Sequence, residues 1–244
     1  MKRIKLIIQY LGTNYCGWQI QPNLKTVQGE VQQAIKNALS EDVEVFASGR
    51  TDAGVHAFGQ VAHFDTTTKI CPNRIYAVIN RFLPSDIRVL KSFEVSDTFH
   101  ARFDVKQKTY EYKFYCSQVD FPLLRETCAK VRYPFNFDKA VLACKHFLGT
   151  HDFKSFCSSG NKKEDTTRTI FDILLSKKDN IFCLSVTGNG FLYNMVRIIA
   201  GTIIDVGCGQ IEESQIPKII EAKDRKLAGK TAPSCGLTLK SVEY

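Results

Sequence analysis

Apolar and polar positions along the 244 residues change rhythm several times, and each change marks an element. Residues 2–10 (Lys-Arg-Ile-Lys-Leu-Ile-Ile-Gln-Tyr) read as a strand, and residues 11–25, rich in Gly, Asn, Gln and Pro, as a loop. Thr26 is placed to N-cap a helix in which Val27, Val31, Ile35, Ala38 and Leu39 fall on one face at helical spacing. A short strand over 43–48 follows, then a Gly-containing segment at 49–57 and a strand at 58–65. Pro72 stands where a first helical turn begins, with Ile75, Val78, Ile79 and Phe82 as the apolar stripe behind it. Residues 87–95 complete a βαββαβ order.

The remainder repeats that order. Residues 105–116 form a long strand with Tyr110, Tyr112 and Phe114 on one face. A helix over 137–148 stops at Gly149, strands at 168–177 and 181–187 flank the turn Lys177-Lys-Asp-Asn180, and helices follow at 191–206 and 213–223. A strand at 236–243 ends the series. The pattern predicts an α+β protein of two ferredoxin-like halves with antiparallel sheets, residues 1–104 and 105–244, around a central active-site cleft. No Pro-, Gly- or Ser-rich linker separates them, and the repeat is one of element order rather than residue identity.

Composition narrows the class. Hydrophobic residues are 44% and charged residues 24%, which excludes a disordered chain. No apolar run approaches the ~18 residues of a membrane span, and the first residues run into a strand rather than a signal peptide, so a soluble, cytoplasmic protein is expected. The nine cysteines contain no CxxC pair, and most fall in apolar stretches; they read as reduced core residues. His63, His146 and His151 have no ligand-like spacing, so no metal is assigned.

Lys and Arg number 33 against 25 Asp and Glu, a net charge of +8, which fits a polyanionic partner such as RNA, although many basic proteins bind nothing acidic. Basic residues recur at 102, 106, 108 and 113, at 162, 163 and 168, and at 223, 225, 226 and 230. The run 161–166 reads as a solvated loop whose lysines are able to meet phosphates.

The segment richest in chemistry is Ser48-Gly-Arg-Thr-Asp-Ala-Gly-Val-His-Ala57. Its glycines permit a tight path and close approach of a ligand, and Asp52 beside Arg50 can stay ionised where a lone carboxylate would not. Such a carboxylate serves as base or nucleophile; a polar surface turn with Asp52 forming an Asx-turn is the alternative.

The block Gly49-Arg-Thr-Asp-Ala-Gly-Val-His-Ala57 resembles, residue for residue, the signature of the tRNA pseudouridine synthase A (TruA) family. Phe99-His-Ala-Arg-Phe103 with Lys108-Thr-Tyr-Glu-Tyr112, Gly190-Phe-Leu-Tyr-Asn-Met-Val-Arg197 with Gly201-Thr202, and Ala228-Gly-Lys-Thr-Ala-Pro233 with Gly236-Leu-Thr-Leu239 are similar to its further blocks, in order and across the chain. The resemblance implies the pseudouridine synthase fold and an RNA isomerase that detaches uracil, rotates it and rejoins it through C5, without metal or other cofactor. It implies Asp52 as the nucleophile, at uracil C6 or ribose C1′, on a uridine flipped from its stack. It implies Tyr110 packed against the target base, Arg197 facing Asp52 across the two halves, and Arg50 positioning the nucleotide. The apolar neighbours of Arg197 also call for a carboxylate partner; a helix-surface arginine with a snorkelling stem is the alternative. His56 reads as structural or RNA-contacting, since no nucleophile motif accompanies it. The implied partners are the anticodon arm of tRNA, on its 3′ side, and a second copy of the chain in a homodimer. The same chemistry on another RNA, a non-catalytic RNA-binding protein and a small-molecule acid/base enzyme are the rivals.

Overall fold

The computed structural model describes residues 1–158 and 165–244, so the lysines expected to meet phosphates at 162 and 163 lie outside the described residues. The chain divides into two compact units: Met1–Lys106 with Thr238–Tyr244, and Gln107–Leu237.

In the first unit, β1 (Lys2–Tyr10) turns Ile4, Leu6, Ile8 and Tyr10 into the core by simple alternation. Helix α1 (Val27–Leu39) starts as the sequence predicts: Thr26 Oγ1 accepts the Gly29 N–H at 3.3 Å, and Val27, Val31, Ala34 and Ile35 are buried. The strand expected over 43–48 shrinks to β2 (Phe46–Ala47). The reason lies on α1: the Val45 N–H and C=O are taken by the side chains of Gln32 and Gln28, not by a strand neighbour. Next come β3 (His56–Thr66), a single 3₁₀ turn at Pro72–Arg74, the short α2 (Ile75–Ile79) and β4 (Ile87–Val95). Leu83 is buried where Phe82 was expected to be, and Phe82 is exposed.

β1 lies between β3 and β4, antiparallel to both, and β2 pairs antiparallel with β3 at Phe46↔His63. The second unit begins with β5 (Gln107–Cys116), whose Tyr110, Tyr112 and Phe114 are buried as alternation predicts. It continues through β6 (Ala129–Val131), α3 (Phe137–Lys145), β7 (Gly149–Asp152), β8 (Thr167–Lys178), β9 (Ile181–Gly188), α4 (Met195–Gly207) and α5 (Ile216–Ala222). β6 and β7 were not expected; at three and four residues they are too short to show a rhythm. Helix α3 ends three residues early because residues 146–148 tighten to i→i−3 bonds, Leu148 N–H to Lys145 O among them. β9 pairs antiparallel with both β5 and β8, and β7 pairs antiparallel with β8.

The last strand, β10 (Leu237–Glu243), runs parallel to β3 through Thr238↔His56 and Leu239↔Ala57. It therefore belongs to the first unit, although its place in the sequence follows all of the second. The cysteines are less uniformly interior than their apolar neighbours imply: Cys128, Cys144 and Cys157 are buried, but Cys71 is exposed and the rest are half-buried. No helix among the described residues is long and apolar enough to cross a membrane.

Candidate active site

In the first unit the segment 48–56 leaves β2 and enters β3 across a floor of buried polar groups. Gln60, fully buried on β3, is the hub: its Oε1 accepts the Ser48 hydroxyl at 2.7 Å and its Nε2 donates to Gly49 O at 2.9 Å. The Tyr10 hydroxyl shares a 2.8 Å hydrogen bond with Thr51 Oγ1. Burial pushes the Tyr10 pKa up to about 12, so the phenol keeps its proton. Trp18 N–H donates to Thr51 O at 3.0 Å and Val55 N–H to Asp52 O at 3.1 Å, closing a turn around Asp52. Backbone bonds on both sides of the aspartate are thus fixed, while its side chain is half-buried and Arg50 is exposed.

Two glycines are required by this path. Gly54 sits at φ +75°, where a side chain is strained. Gly17, at φ +85°, passes so close beneath the loop that a Cβ there would stand 2.5 Å from Thr51 O. His56 is buried and its Nδ1 accepts the Gly12 N–H at 2.9 Å. That bond holds the imidazole as a structural acceptor at the start of β3, in line with a structural part.

In the second unit, Tyr110 on β5 is buried and opposes Val186 of β9. Phe191 meets its ring edge-on, with centroids 5.3 Å apart and planes at 88°. Phe191 was expected inside a helix over 191–206. Asn194, however, takes φ +60°, ψ 7°, a left-handed conformation that no helix interior accommodates, so α4 starts only at Met195. Residues 189–194 are consequently a loop, from which Phe191 reaches Tyr110.

Arg197, in the first turn of α4, donates from Nε to Ala232 O at 2.8 Å and from Nη1 to Asn194 Oδ1 at 2.8 Å. The Ala232 N–H returns a bond to Arg197 O at 3.1 Å. The segment 228–233 is sewn to α4 further on, by Gly229 N–H to Thr202 Oγ1 at 2.9 Å and Lys230 N–H to Asp205 Oδ2 at 3.3 Å. Two of the recurring basic residues already have partners within the chain: the exposed Lys223 pairs with Asp152 at 2.8 Å, and Arg225 donates to Thr231 Oγ1 at 3.0 Å.

Sequence reasoning did not single out Gln60, Tyr10 or Phe191. Gln60 left no distinct trace, since its strand also carries His56, His63, Asp65 and Thr66, and Phe191 was hidden by a helical spacing that begins too early. Among the described residues no three His, Cys, Asp or Glu side chains are grouped to hold a metal ion.

A family model described as tRNA pseudouridine synthase matches residues 6–104 and 143–244. The tRNA pseudouridine synthase A of Acetivibrio thermocellus is 48% identical over 244 residues, covering the whole of both chains. That of Caldicellulosiruptor saccharolyticus is 48% identical over 247 residues, again over the whole of both. A solved structure, of a Cbf5-Nop10-Gar1 complex, is 12% identical with a TM-score of 0.39, covering 96% of this chain and 57% of that one, too remote to add to the match.

Proposed function

The chain belongs to the tRNA pseudouridine synthase family, and from that premise we propose that Asp52 is the nucleophile with which it converts uridine to pseudouridine in tRNA. The observation that carries this role is the fixing of the 48–56 backbone by buried polar groups while the Asp52 side chain remains half-buried. A nucleophile gains from such pre-organisation because its approach geometry is set before substrate binds. The carboxylate attacks either C6 of uracil or C1′ of the ribose. The C1′–N1 bond breaks, the base turns, a C5–C1′ bond forms, the bond to Asp52 breaks to free the carboxylate, and the proton lost from C5 is balanced by one gained at N1, with no net oxidation and no group gained or lost.

The target uridine has to leave its stack to meet the carboxylate. Tyr110 gives the flipped base an aromatic face, held from one side by Phe191, and its hydroxyl serves the proton that leaves C5. Arg197 is the cation assigned to the site, and its bonds to Ala232 and Asn194 orient the guanidinium. Arg50, exposed on the same loop as Asp52, holds the nucleotide or its phosphate. The substrate uridines lie on the 3′ side of the anticodon arm, the tRNA is shared by two copies of the chain in a homodimer, and the work is done in the cytoplasm. The net charge of +8 is available to phosphates.

The test is to incubate wild type and Asp52→Ala with unmodified tRNA and map pseudouridine afterwards. Wild type is expected to modify the anticodon arm and the variant to modify nothing. Undiminished product with Asp52→Ala defeats the nucleophile assignment; product only outside the anticodon arm defeats the substrate assignment.

A further inference from the structure

We propose that Phe103 is a stacking platform for an unpaired nucleobase of the RNA, with Arg102 beside it for the neighbouring phosphate. The proposal rests on the tRNA substrate above and extends it to a ring with no part in the chemistry. Phe103 is 75% exposed, yet it is not loose. Its ring stacks on His100 at 4.2 Å and 29°, His100 meets His63 at 4.8 Å, and Phe46 stacks on His63 at 5.2 Å. A column of rings thus runs from the buried His63 out to Phe103.

The turn that carries the ring is tied down on every side. The His100 N–H donates to the Asp104 carboxylate at 2.8 Å and the Arg102 N–H to His100 Nδ1 at 3.1 Å. The Ala101 N–H donates to His63 Nδ1 at 3.1 Å, Ala101 O accepts the Tyr244 hydroxyl at 2.7 Å, and Phe99 O accepts Arg3 Nη1 at 3.0 Å. An exposed apolar ring on so fixed a support is already arranged for a partner, and little ordering entropy remains to be lost on contact.

The charges choose the kind of partner. Arg102, Asp104 and Lys106 flank Phe103 in the chain and are all exposed, and the Arg102 guanidinium carbon lies 5.9 Å from the ring centroid. A protein docking surface surrounds its anchor with further apolar contact, whereas the exposed neighbours of Phe103 along the turn, Arg102, Asp104 and Lys106, are charged and two of the three are cationic. A nucleobase with its phosphate has the matching shape and sign.

The experiment compares wild type, Phe103→Ala, Phe103→Leu and Phe103→Trp for Kd and KM on a tRNA transcript, with circular dichroism and sedimentation velocity on each. Loss of one base stack is expected to weaken affinity about tenfold in Ala and in Leu, with Trp close to wild type and the loss falling on Kd and KM more than on kcat. Wild-type affinity in Phe103→Ala overturns the proposal, as does full rescue by Leu or a change of oligomeric state accompanying the loss. If wild type itself makes no pseudouridine and binds no tRNA, the function proposed above fails instead.

Discussion

Replacing Gln60 by Met isolates what the buried network does for the aspartate loop. Methionine has nearly the same length and volume, so β3 keeps its packing and only polar contacts are lost. Two hydrogen bonds disappear, from Ser48 Oγ at 2.7 Å and to Gly49 O at 2.9 Å, together with a long one to the Tyr10 hydroxyl at 3.5 Å. Losing bonds of this kind in a dry interior costs about 1–3 kcal/mol each when a partner is stranded, so for the two short bonds we expect about 2–6 kcal/mol in total. At about 2–4 °C per kcal/mol for a chain of this size, melting falls by roughly 4–24 °C. Turnover falls further than stability accounts for, because a loop displaced by about 1 Å loses on the order of a hundredfold in rate. Thermal melts and single-turnover pseudouridine formation, both at a temperature where the variant is folded, separate the two. A variant that melts early but turns over at the wild-type rate refutes the positioning role; one that does neither refutes the network itself.

Tyr110→Ala is expected to lose turnover by at least a hundredfold while tRNA binding, measured by filter retention, largely survives; equal loss of both would assign the ring to folding. Arg197→Met costs about 1–2 kcal/mol through its bonds to Ala232 and Asn194, but more than tenfold in kcat, and a wild-type kcat would remove Arg197 from the site. Burial, with the charges of His100 and Arg3 adding to it, holds the His63 imidazole down from 6.5 to about 4. The unfolded chain therefore takes up that proton first, so stability is lost as pH falls from about 6.5 towards 4 and His63 contributes no slope above 6.5. Urea denaturation across that range should be shallower in pH for His63→Gln, and parallel curves would exclude the residue. Affinity for tRNA should fall steeply with added salt, as phosphate contacts demand, and a flat response would contradict an RNA substrate.

Features fixed by near neighbours were legible in the sequence. Thr26 needs only Gly29 to cap α1, and Tyr110, Tyr112 and Phe114 need only alternation to face inward. Asp52 and Arg50 stood out because their whole loop is contiguous. Features fixed by distant partners were not: nothing around residue 45 announces that glutamines on α1 will consume its backbone groups. Nothing within 236–243 says that its neighbour is β3, because a strand's own pattern carries its faces and not its partner. Asn194 misled in the opposite way. The apolar spacing on either side is helical, and only a backbone in the left-handed region shows where the helix cannot begin.

The parallel pairing of β10 with β3 has a bearing on how the protein is made. Residues 56 and 57, next to the Asp52 loop, wait for Thr238 and Leu239 as their partners. A ribosome delivers the aspartate early, but the strand beside it emerges only after all of Gln107–Leu237 has been synthesised. The first unit is thus unable to complete its sheet during translation in the usual N-to-C order. A nascent chain with a finished active-site motif is then still an unfinished enzyme, and its ability to modify RNA arrives at the close of synthesis rather than part-way through it.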